Sequence, residues 1–254
     1  VESDNAIQAL MIRDVTDEER VHRLVGEFMA NITHEFRTPL SALAASVELL
    51  MDDFPNLSKE ELGQLLEALN LGIIDLQFLI DNLIEAASIE AGRFKINLKD
   101  IELSLILKDA LRTMGPLLQK KVIDLQMSKI QPSFKVKADQ RRSVQVLINL
   151  LSNAIKHSPE DGNISLRTLV MEDEVLLEIQ DEGPGVQPEY QDQLFKRFTS
   201  YGNLQDLSKM GMGLGLSVVK AVIEAQGGRV GFRNHAEGGA IFWFTFQVVP
   251  EDTL

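Results

Sequence analysis

The residue with the clearest chemical potential is His34, in the run Asn31-Ile-Thr-His-Glu-Phe-Arg-Thr-Pro-Leu40. A neutral imidazole can attack phosphorus near neutral pH without first losing a proton from its attacking nitrogen. Attack leaves a proton on the other ring nitrogen, and Glu35 is the nearest base that could hold or accept it. Adjacent helical residues point about 100° apart, so most such pairs are merely solvated. His34 and Glu35 alone therefore do not identify a phosphoryl-transfer site, and other motifs in the chain have to support that interpretation.

A second cluster falls on a helix predicted over residues 140–157. Asn149 and Asn153 lie four apart, and Lys156 and His157 follow three and four residues beyond Asn153, so all four can share a face. Asparagine is a poor helix former because its amide competes for backbone hydrogen bonds. A bound Mg²⁺ would explain two asparagines in the middle of one helix, since this ion binds amide, water and phosphate oxygens at the same time. An ordinary polar helix face explains this cluster alone equally well.

Two glycine-rich segments could approach a nucleotide. Asp181-Glu-Gly-Pro-Gly185 follows a predicted strand, and the Asp181 carboxylate can accept a hydrogen bond from an exocyclic amine such as that of adenine. Gly211-Met-Gly-Leu-Gly215 leads into an apolar helix beginning near Leu214, where backbone N–H groups can bind phosphate. Taken alone, the first segment is better explained as a turn, and a flexible hinge competes for the second.

The sequence between these segments has the character of a mobile lid. It contains Phe195-Lys-Arg-Phe198 and a loose polar stretch from Thr199 to Lys209. The second glycine segment matches neither the GxGxxG pattern of a Rossmann site nor the GxxxxGK pattern of a P-loop. Those two kinds of nucleotide site are therefore not predicted.

The elements that carry these residues begin with two long helices. Apolar residues fall three or four apart over residues 14–52, which predicts one helix, and Pro39 predicts a kink just after His34. Ser58 and Glu61 form a capping box for the second helix. Apolar residues along this helix then step alternately by four and three, at Leu62, Leu66, Leu69, Ile73, Leu76, Ile80, Leu83 and Ala87.

Such a heptad seam needs a partner. Two antiparallel helices cannot bury stripes on this scale alone, so we expect a homodimer that forms a four-helix bundle. A lone hairpin packed on a second domain is the less favoured alternative. With 254 residues and 44% hydrophobic content, the chain is long enough for two domains.

After about residue 95 the pattern changes to short strands that alternate with amphipathic helices. Helices on one face of a sheet, an α/β sandwich, are therefore expected there, and the whole chain is of the α+β class. Strands are predicted over residues 95–103, 122–128, 134–138, 163–171, 174–180, 229–233 and 240–249, and helices over 104–118, 140–157 and 214–227.

The charge and composition narrow the classes of ligand. Residues 1–97 hold 18 acidic and 7 basic residues, and residues 98–254 hold 20 and 18, so neither part has the basic patch that nucleic acid or anionic lipid requires. No uninterrupted apolar run reaches about 18 residues, so we expect a soluble chain. Cysteine is absent. The chain begins with Val1 and no signal-peptide pattern follows, so we expect a piece of a longer protein.

Five of these segments, in this order, resemble the motifs of two-component sensor histidine kinases. Residues 31–40 resemble the H box, 149–157 the N box, 181–185 the first glycine box, 195–198 the F box and 211–215 the second glycine box. The likeness covers almost the full length of the chain. Any one motif could arise by chance, but an ordered set of five is specific to the family.

The resemblance implies a domain order. Residues 16–95 would be a dimerisation and histidine-phosphotransfer hairpin, and residues 96–250 a catalytic domain with the Bergerat ATP-binding fold that gyrase and heat-shock chaperone ATPases share. Residues 1–15 resemble the exit from a PAS-like sensor domain.

The resemblance also implies roles for individual residues. His34 would be the phospho-acceptor, Glu35 its base and Thr38 the residue that orients water when the partner is dephosphorylated. ATP and Mg²⁺ are the implied cofactors, with Asn153 as the principal metal ligand and Asn149 assisting. Lys156 would contact phosphates and Asp181 the adenine amine, and the other residues implied at the ATP site are His157, Gly183, Gly185, Phe195, Arg197, Phe198, Lys209, Gly211, Gly213, Leu214 and Gly215.

The implied partners are a second copy of the chain and the receiver domain of a response regulator, whose aspartate would take the phosphoryl group. The implied location is the cytoplasm. The stimulus, the cognate regulator, the choice between phosphorylation within or between protomers, and any membrane anchor of the full-length protein are left open.

Two positions depart from the family pattern and keep other classes in view. His157 stands where an aromatic residue is frequent, and Ile241 where a hydroxyl residue is common. A non-enzymatic scaffold with a decayed site is one alternative. A Bergerat-fold ATP hydrolase is another, although Asn149 replaces the glutamate that activates water in those enzymes. A eukaryotic-type protein kinase fits worst, because no His-Arg-Asp loop is present.

Overall fold

The structure is a computed structural model that describes residues 16–128, 134–197 and 212–250. It consists of a helical hairpin followed by a layered α/β domain, as the change of sequence period predicts. In the hairpin, α1 spans Thr16–Asp53 and α2 spans Lys59–Glu90. The connection of a few residues makes the two helices antiparallel.

The predicted capping box begins α2. Ser58 has an extended backbone, its Oγ accepts a hydrogen bond from the N–H of Glu61 (3.2 Å), and the Oε2 of Glu61 accepts one from the N–H of Ser58 (2.8 Å). Two of the four N–H groups that a helix start leaves unpaired are satisfied in this way. At α1, the helix continues through Pro39, which brings no N–H to the carbonyl of Glu35 four residues before it.

The face of α2 that is buried within the chain is not the predicted heptad seam. It consists of Leu71, Gly72, Leu79, Asn82 and Glu85. The seam residues Leu66, Ile73 and Ile80 remain 44–54% exposed. Half of the seam is therefore exposed within one chain, whereas Leu62, Leu69, Leu76 and Leu83 are partly buried.

By length and composition, α2 also passes the test for a membrane-spanning helix, with a mean hydropathy of 1.3 over 18 residues. No such helix is predicted from uninterrupted apolar runs, because polar residues interrupt the apolar sequence of α2. The finding is weak evidence for a span, since a helix with an apolar packing face passes the same test.

The second domain is built on a sheet of seven strands among the described residues. The strands are β1 Lys99–Glu102, β2 Asp124–Ser128, β3 Lys135–Ala138, β4 Asn163–Val170, β5 Glu174–Gln180, β6 Val230–Asn234 and β7 Ala240–Val248. Their order is β1-β3-β7-β5-β4-β2, and β6 pairs with β7. All pairs are antiparallel except β2 with β4.

Three helices pack on this sheet, namely α3 (Leu103–Lys120), α4 (Gln140–His157) and α6 (Gly215–Ala225). Their apolar residues and those of the inner strand face form one buried core that includes Ile106, Leu150, Val219, Leu166 and Phe244. Burial of each such side chain contributes about 1.5–3 kcal/mol, which fixes the positions of α4 and α6 above the strand ends.

Two differences from the predicted elements have a clear local cause. β1 is confined to Lys99–Glu102 because β3 supplies only four pairing residues, and the N–H of Asn97 instead donates to Oδ2 of Asp139 (3.1 Å). The short helix α5 (Pro188–Gln191) was not predicted, since one turn has no apolar period to detect.

Candidate active site

The candidate phospho-acceptor, His34, is exposed on α1. Thr38 lies one turn later, and its Oγ1 donates a hydrogen bond to the carbonyl oxygen of His34 (3.2 Å). A partner can therefore reach the imidazole directly. The hydroxyl of Thr38 is held close to it on the same helix face.

Glu35 faces the catalytic domain, where the Nζ of Lys156 lies 4.0 Å from its Oε1. Burial raises the pKa of Glu35, against the opposing effect of Lys156 and His34. Burial also lowers the pKa of Lys156, against the attraction of Glu35 and Asp75. Both shifts favour the neutral forms, so desolvation outweighs the mutual attraction of the pair.

The N-terminal end of α4 is fixed by Asp139. Its Oδ1 accepts a hydrogen bond from the N–H of Arg142 (3.2 Å), as expected for an N-cap. Asn149, Asn153, Lys156 and His157 follow along the helix and differ in exposure. Asn149 is buried, Asn153 and Lys156 are partly exposed and His157 is exposed. The predicted common face thus runs from the interior to the surface.

Asn149 contacts the start of α6 and the helical hairpin of α1 and α2, which we call the stalk. A Cβ added to Gly215 would lie 3.2 Å from the Oδ1 of Asn149, so glycine allows the two helices to approach. The same Oδ1 accepts a hydrogen bond from the Nδ2 of Asn82 on α2 (2.9 Å). Asn149 thus combines an amide oxygen with the glycine-bearing helix terminus that the sequence predicted to hold phosphate.

Asp181 follows β5 and is 4% exposed. Its Oδ1 accepts hydrogen bonds from the N–H groups of Gly183 (2.8 Å) and Ala240 (3.1 Å). Burial raises the pKa of Asp181, and these two hydrogen bonds act in the opposite direction. Within the described part of the chain both hydrogen bonds use Oδ1, so Oδ2 is available to an exocyclic amine.

The first glycine segment packs against the end of α4. A Cβ added to Gly183 would lie 2.9 Å from the carbonyl oxygen of His157, and Gly185 borders Asn234 and Gly239. The N-box helix and Asp181 are therefore placed side by side, as the hypothesis of one nucleotide site requires. A surface pocket of about 490 Å³ lined by Met171, Glu172, Asp173, Glu174, Arg229 and Gln247 lies instead at the start of β5, roughly 20 Å from Asp181.

Two family models match the chain. Residues 24–92 match the His Kinase A (phospho-acceptor) domain. Residues 138–250 match the histidine kinase-, DNA gyrase B- and HSP90-like ATPase. The chain belongs to the sensor histidine kinases. This confirms the predicted family and the fold class of a helical hairpin followed by an α/β catalytic domain.

The relatives of this histidine kinase include the alginate biosynthesis sensor protein KinB of Pseudomonas aeruginosa, which is 30% identical over 94% of the chain and 40% of its own length. The crystal structure of full-length ShkA in complex with AMPPNP matches with a TM-score of 0.59 and 27% identity, over 87% of this chain and 46% of that one. The chain spans 40% or less of the length of the curated relatives it matches.

The histidine kinase ThkA, crystallised in complex with the response regulator TrrA, shares the fold. The TM-score is 0.57 and the identity 24%, over 93% of this chain and 65% of that one. At this identity the likeness concerns the fold alone.

The segment predicted to be a lid is described only at its two ends. Phe195 packs against the core, and Arg197 forms an ion pair with Glu90 at the end of α2. Phe198, Lys209 and Gly211 lie outside the described residues. After the lid, Gly213 and Leu214 lead into α6, and Leu214 is buried with Met212 against Leu79 of the stalk.

The residues suited to Mg²⁺ are the two asparagines of α4. Within the described ranges, no three histidine, aspartate or glutamate side chains are placed to hold a metal ion. The Oδ1 of Asn149 beside Gly215 and the partly exposed amide of Asn153 are hard oxygen donors, which fit a cation that keeps most of its ligands from water and phosphate.

Sequence reasoning missed several residues of the site. Asn82 and Glu85 are buried on α2, and Gly239 is so close to Asp181 that an added Cβ would overlap its carbonyl oxygen. The two polar residues were detectable only as interruptions of an apolar helix. Ile241, the departure noted in the sequence, is 5% exposed on β7 opposite Gln180.

Proposed function

We propose that the chain is the core of a kinase that phosphorylates itself on His34 with Mg²⁺–ATP and passes the phosphoryl group to an aspartate of a response regulator. The observation that carries the proposal is the approach of Lys156 to Glu35. It places the helix of the candidate nucleotide site against the residue beside the acceptor histidine.

In the proposed transfer, a ring nitrogen of neutral His34 forms a bond to the γ-phosphorus while the bond to the β,γ-bridging oxygen breaks and ADP leaves. The proton on the second ring nitrogen passes to the carboxylate of Glu35, which leaves the phosphorylated ring neutral. Catalysis of this kind depends mostly on positioning and on neutralising charge.

The nucleotide would be held by groups from both glycine segments and α4. The carboxylate of Asp181 would accept a hydrogen bond from the adenine amine, and Lys156 would neutralise phosphate oxygens. His157 would lie beside the base. When bound through Asn153 and Asn149, Mg²⁺ would withdraw charge from the phosphates. The remaining residues proposed at this site are Gly183, Gly185, Phe195, Arg197, Phe198, Lys209, Gly211, Gly213, Leu214 and Gly215.

The domain limits proposed from the sequence remain residues 16–95 and 96–250, with residues 1–15 as the exit from a sensor. The exposed seam residues Leu66, Ile73 and Ile80 support a homodimer through the hairpin, because a monomer would leave them in water.

The proposed partner beyond the dimer is a response-regulator receiver domain, by analogy with the ThkA complex, and the proposed location is the cytoplasm. The exposed side of α1 around His34 is the expected docking site. Thr38 is proposed to orient the water that dephosphorylates the regulator, since its hydroxyl is held one turn from His34.

The test is labelling from γ-labelled ATP. The wild-type chain should acquire label that is lost in acid and kept in alkali, as a phosphoramidate requires, and His34→Gln should abolish it without changing nucleotide affinity. The matched control His235→Gln replaces a histidine of the catalytic domain and should label normally. Label that persists in His34→Gln would overturn the acceptor assignment.

A further inference from the structure

Two buried amides meet between the stalk and the catalytic domain. Asn82 is 2% exposed and Asn149 is 1% exposed, and the Nδ2 of the first donates to the Oδ1 of the second at 2.9 Å. Asparagine in an apolar helix face is costly unless its amide is used. Asn82 donates one hydrogen bond, and its acceptor is the amide oxygen that Asn149 would offer to a metal ion.

The surroundings hold Asn82 in this position. One turn along α2, the buried Glu85 forms an ion pair with Arg142 and lies 3.9 Å from Arg141. The guanidinium of Arg142 stacks over the ring of Phe94, 4.1 Å from its centroid. On the preceding turn, Leu79 packs with Met212 and Leu214 of the second glycine segment. The amide contact is therefore the centre of a docked interface.

The docked interface leaves no space for a hydrated cation at the Oδ1 of Asn149. Magnesium binds oxygen at about 2.0–2.1 Å and keeps several of its waters. The Oδ1 has Gly215 on one side and the Nδ2 of Asn82 on another, and the whole residue is almost fully covered. Although an amide oxygen has two lone pairs, neither is accessible to an ion with its water shell.

We propose that Asn82 competes with Mg²⁺–nucleotide for the Oδ1 of Asn149, so that α2 restrains nucleotide binding for as long as the two domains are docked. The inference rests on the proposed function, which makes Asn149 a metal ligand. It adds Asn82 and Glu85 of the stalk as residues that set the affinity of the catalytic domain for its nucleotide.

The contact is suited to reversible release. Among the described residues, the Oδ1 of Asn82 and the Nδ2 of Asn149 have no hydrogen-bond partner in the docked arrangement. Both would regain water on separation, so the docked state gains only one of the hydrogen bonds that the two amides can make. A ligand that binds only the separated state can therefore shift the equilibrium.

The first test measures the affinity of the full chain for Mg²⁺–ADP by calorimetry. Asn82→Ala should tighten binding roughly three- to tenfold, the range expected when a competing hydrogen bond is removed. Glu85→Gln, which weakens the same interface without touching the amides, should also tighten it. The control Asn70→Ala changes an exposed asparagine on the same helix and should leave the affinity unchanged.

Unchanged or weaker affinity in both Asn82→Ala and Glu85→Gln would overturn the inference. Glu85→Gln decides the matter alone if Asn82→Ala does not fold. Failure of the parent chain to bind Mg²⁺–ADP would instead count against the proposed function, so the two failures are distinguishable.

The second test uses the absence of cysteine from the chain. Glu90→Cys with Arg197→Cys places the only two thiols where an ion pair now joins the domains. A short bifunctional maleimide should crosslink them rapidly without nucleotide, and Mg²⁺–ADP should slow the reaction severalfold, because linkage is reciprocal. A crosslinking rate that saturating Mg²⁺–ADP leaves unchanged, in a double-cysteine chain whose binding of Mg²⁺–ADP calorimetry has verified, would contradict the competition.

Discussion

The Nζ of Lys156 lies 4.0 Å from the Oε1 of Glu35, with the two side chains 27% and 20% exposed. Because both side chains are mostly buried, the cost of desolvating the two charges offsets much of their attraction. Because burial shifts the pKa of each partner towards its neutral form, the pair can separate at little cost. It therefore joins the two domains through a contact that can break and re-form.

The raised pKa of Glu35 gives a first prediction. If its carboxylate accepts the proton of His34, the rate of autophosphorylation should fall as the pH is lowered through this raised pKa, at a higher pH than an ordinary glutamate would give. Glu35→Gln should lower the rate by about 10²-fold or more and remove this step. Initial labelling rates measured across the acid and neutral pH range test both the pH at which the rate falls and the loss of this fall in Glu35→Gln.

The control for that prediction is Glu48→Gln, an exposed glutamate on the same helix, which should keep the wild-type pH profile.

The raised pKa of Glu35 also affects the free energy of unfolding. The folded state holds the Glu35 proton more tightly than the unfolded chain, so this contribution is complete below the ordinary pKa of 4.5 and is lost as the pH rises through the raised value.

A second prediction concerns the choice of base. In Asp181→Asn, the backbone donors of Gly183 and Ala240 would hold the amide oxygen, so the NH₂ group would face the nucleotide. Two donors would then oppose each other at the adenine amine, whereas the NH₂ group could donate a hydrogen bond to a carbonyl oxygen such as that of guanine. We expect at least about a tenfold loss of ADP affinity and a relative gain for GDP by calorimetry. Equal losses for both nucleotides would show that Asp181 does not contact the base.

The wild-type chain should also lose ADP affinity in acid. The exocyclic amine needs a charged carboxylate, and burial raises the pKa of Asp181 above its ordinary 3.8. Binding should therefore weaken as the pH falls through that raised value. Asp181→Asn should not show this acid step.

A third prediction compares two neighbouring glycines with similar backbones. Gly238 and Gly239 have φ of +102° and +88°, and a Cβ at Gly238 meets nothing within 4 Å, whereas one at Gly239 would overlap the carbonyl oxygen of Asp181. Gly239→Ala should therefore lower the free energy of unfolding by roughly 1–3 kcal/mol more than Gly238→Ala, and weaken nucleotide binding. Equal effects in denaturant titrations would refute the close approach.

A fourth prediction concerns Lys121. Its Nζ donates to the carbonyl oxygens of Ile155 (2.5 Å) and Ser158 (2.6 Å), which stabilises the end of α4 that Gly183 contacts. Lys121→Met should destabilise the chain by about 1–3 kcal/mol and weaken nucleotide binding. Lys108→Met, at an exposed position on α3, should do neither. Thermal unfolding and calorimetry measure the two effects.

The sequence predicted those parts of the site that depend on local spacing. The capping box at Ser58 and the limits of β5 are set by residues within one helical turn or one strand. The approach of Asn82 to Asn149 joins residues 67 apart, and that of Ala240 to Asp181 joins residues 59 apart. No periodic pattern specifies such contacts, because they depend on how whole elements pack.

The heptad seam shows the same limit in another form. Its spacing correctly predicted an apolar stripe, but the residues buried within the chain include Leu71, Leu79 and Asn82 instead. When a helix has two apolar sides, one side can pack against its own chain while the other stays exposed. Periodicity alone does not say which side meets which partner.

Pro39 leaves the carbonyl of Glu35 without its usual helical donor, one residue beyond His34, the proposed acceptor. At this point α1 can change direction without breaking a further backbone hydrogen bond, whereas a bend elsewhere along its 38 residues would break at least one. A movement arriving from the N-terminal end is therefore most easily converted into a tilt of the turn that carries the imidazole. That tilt would alter which surface the ring presents to its reaction partners.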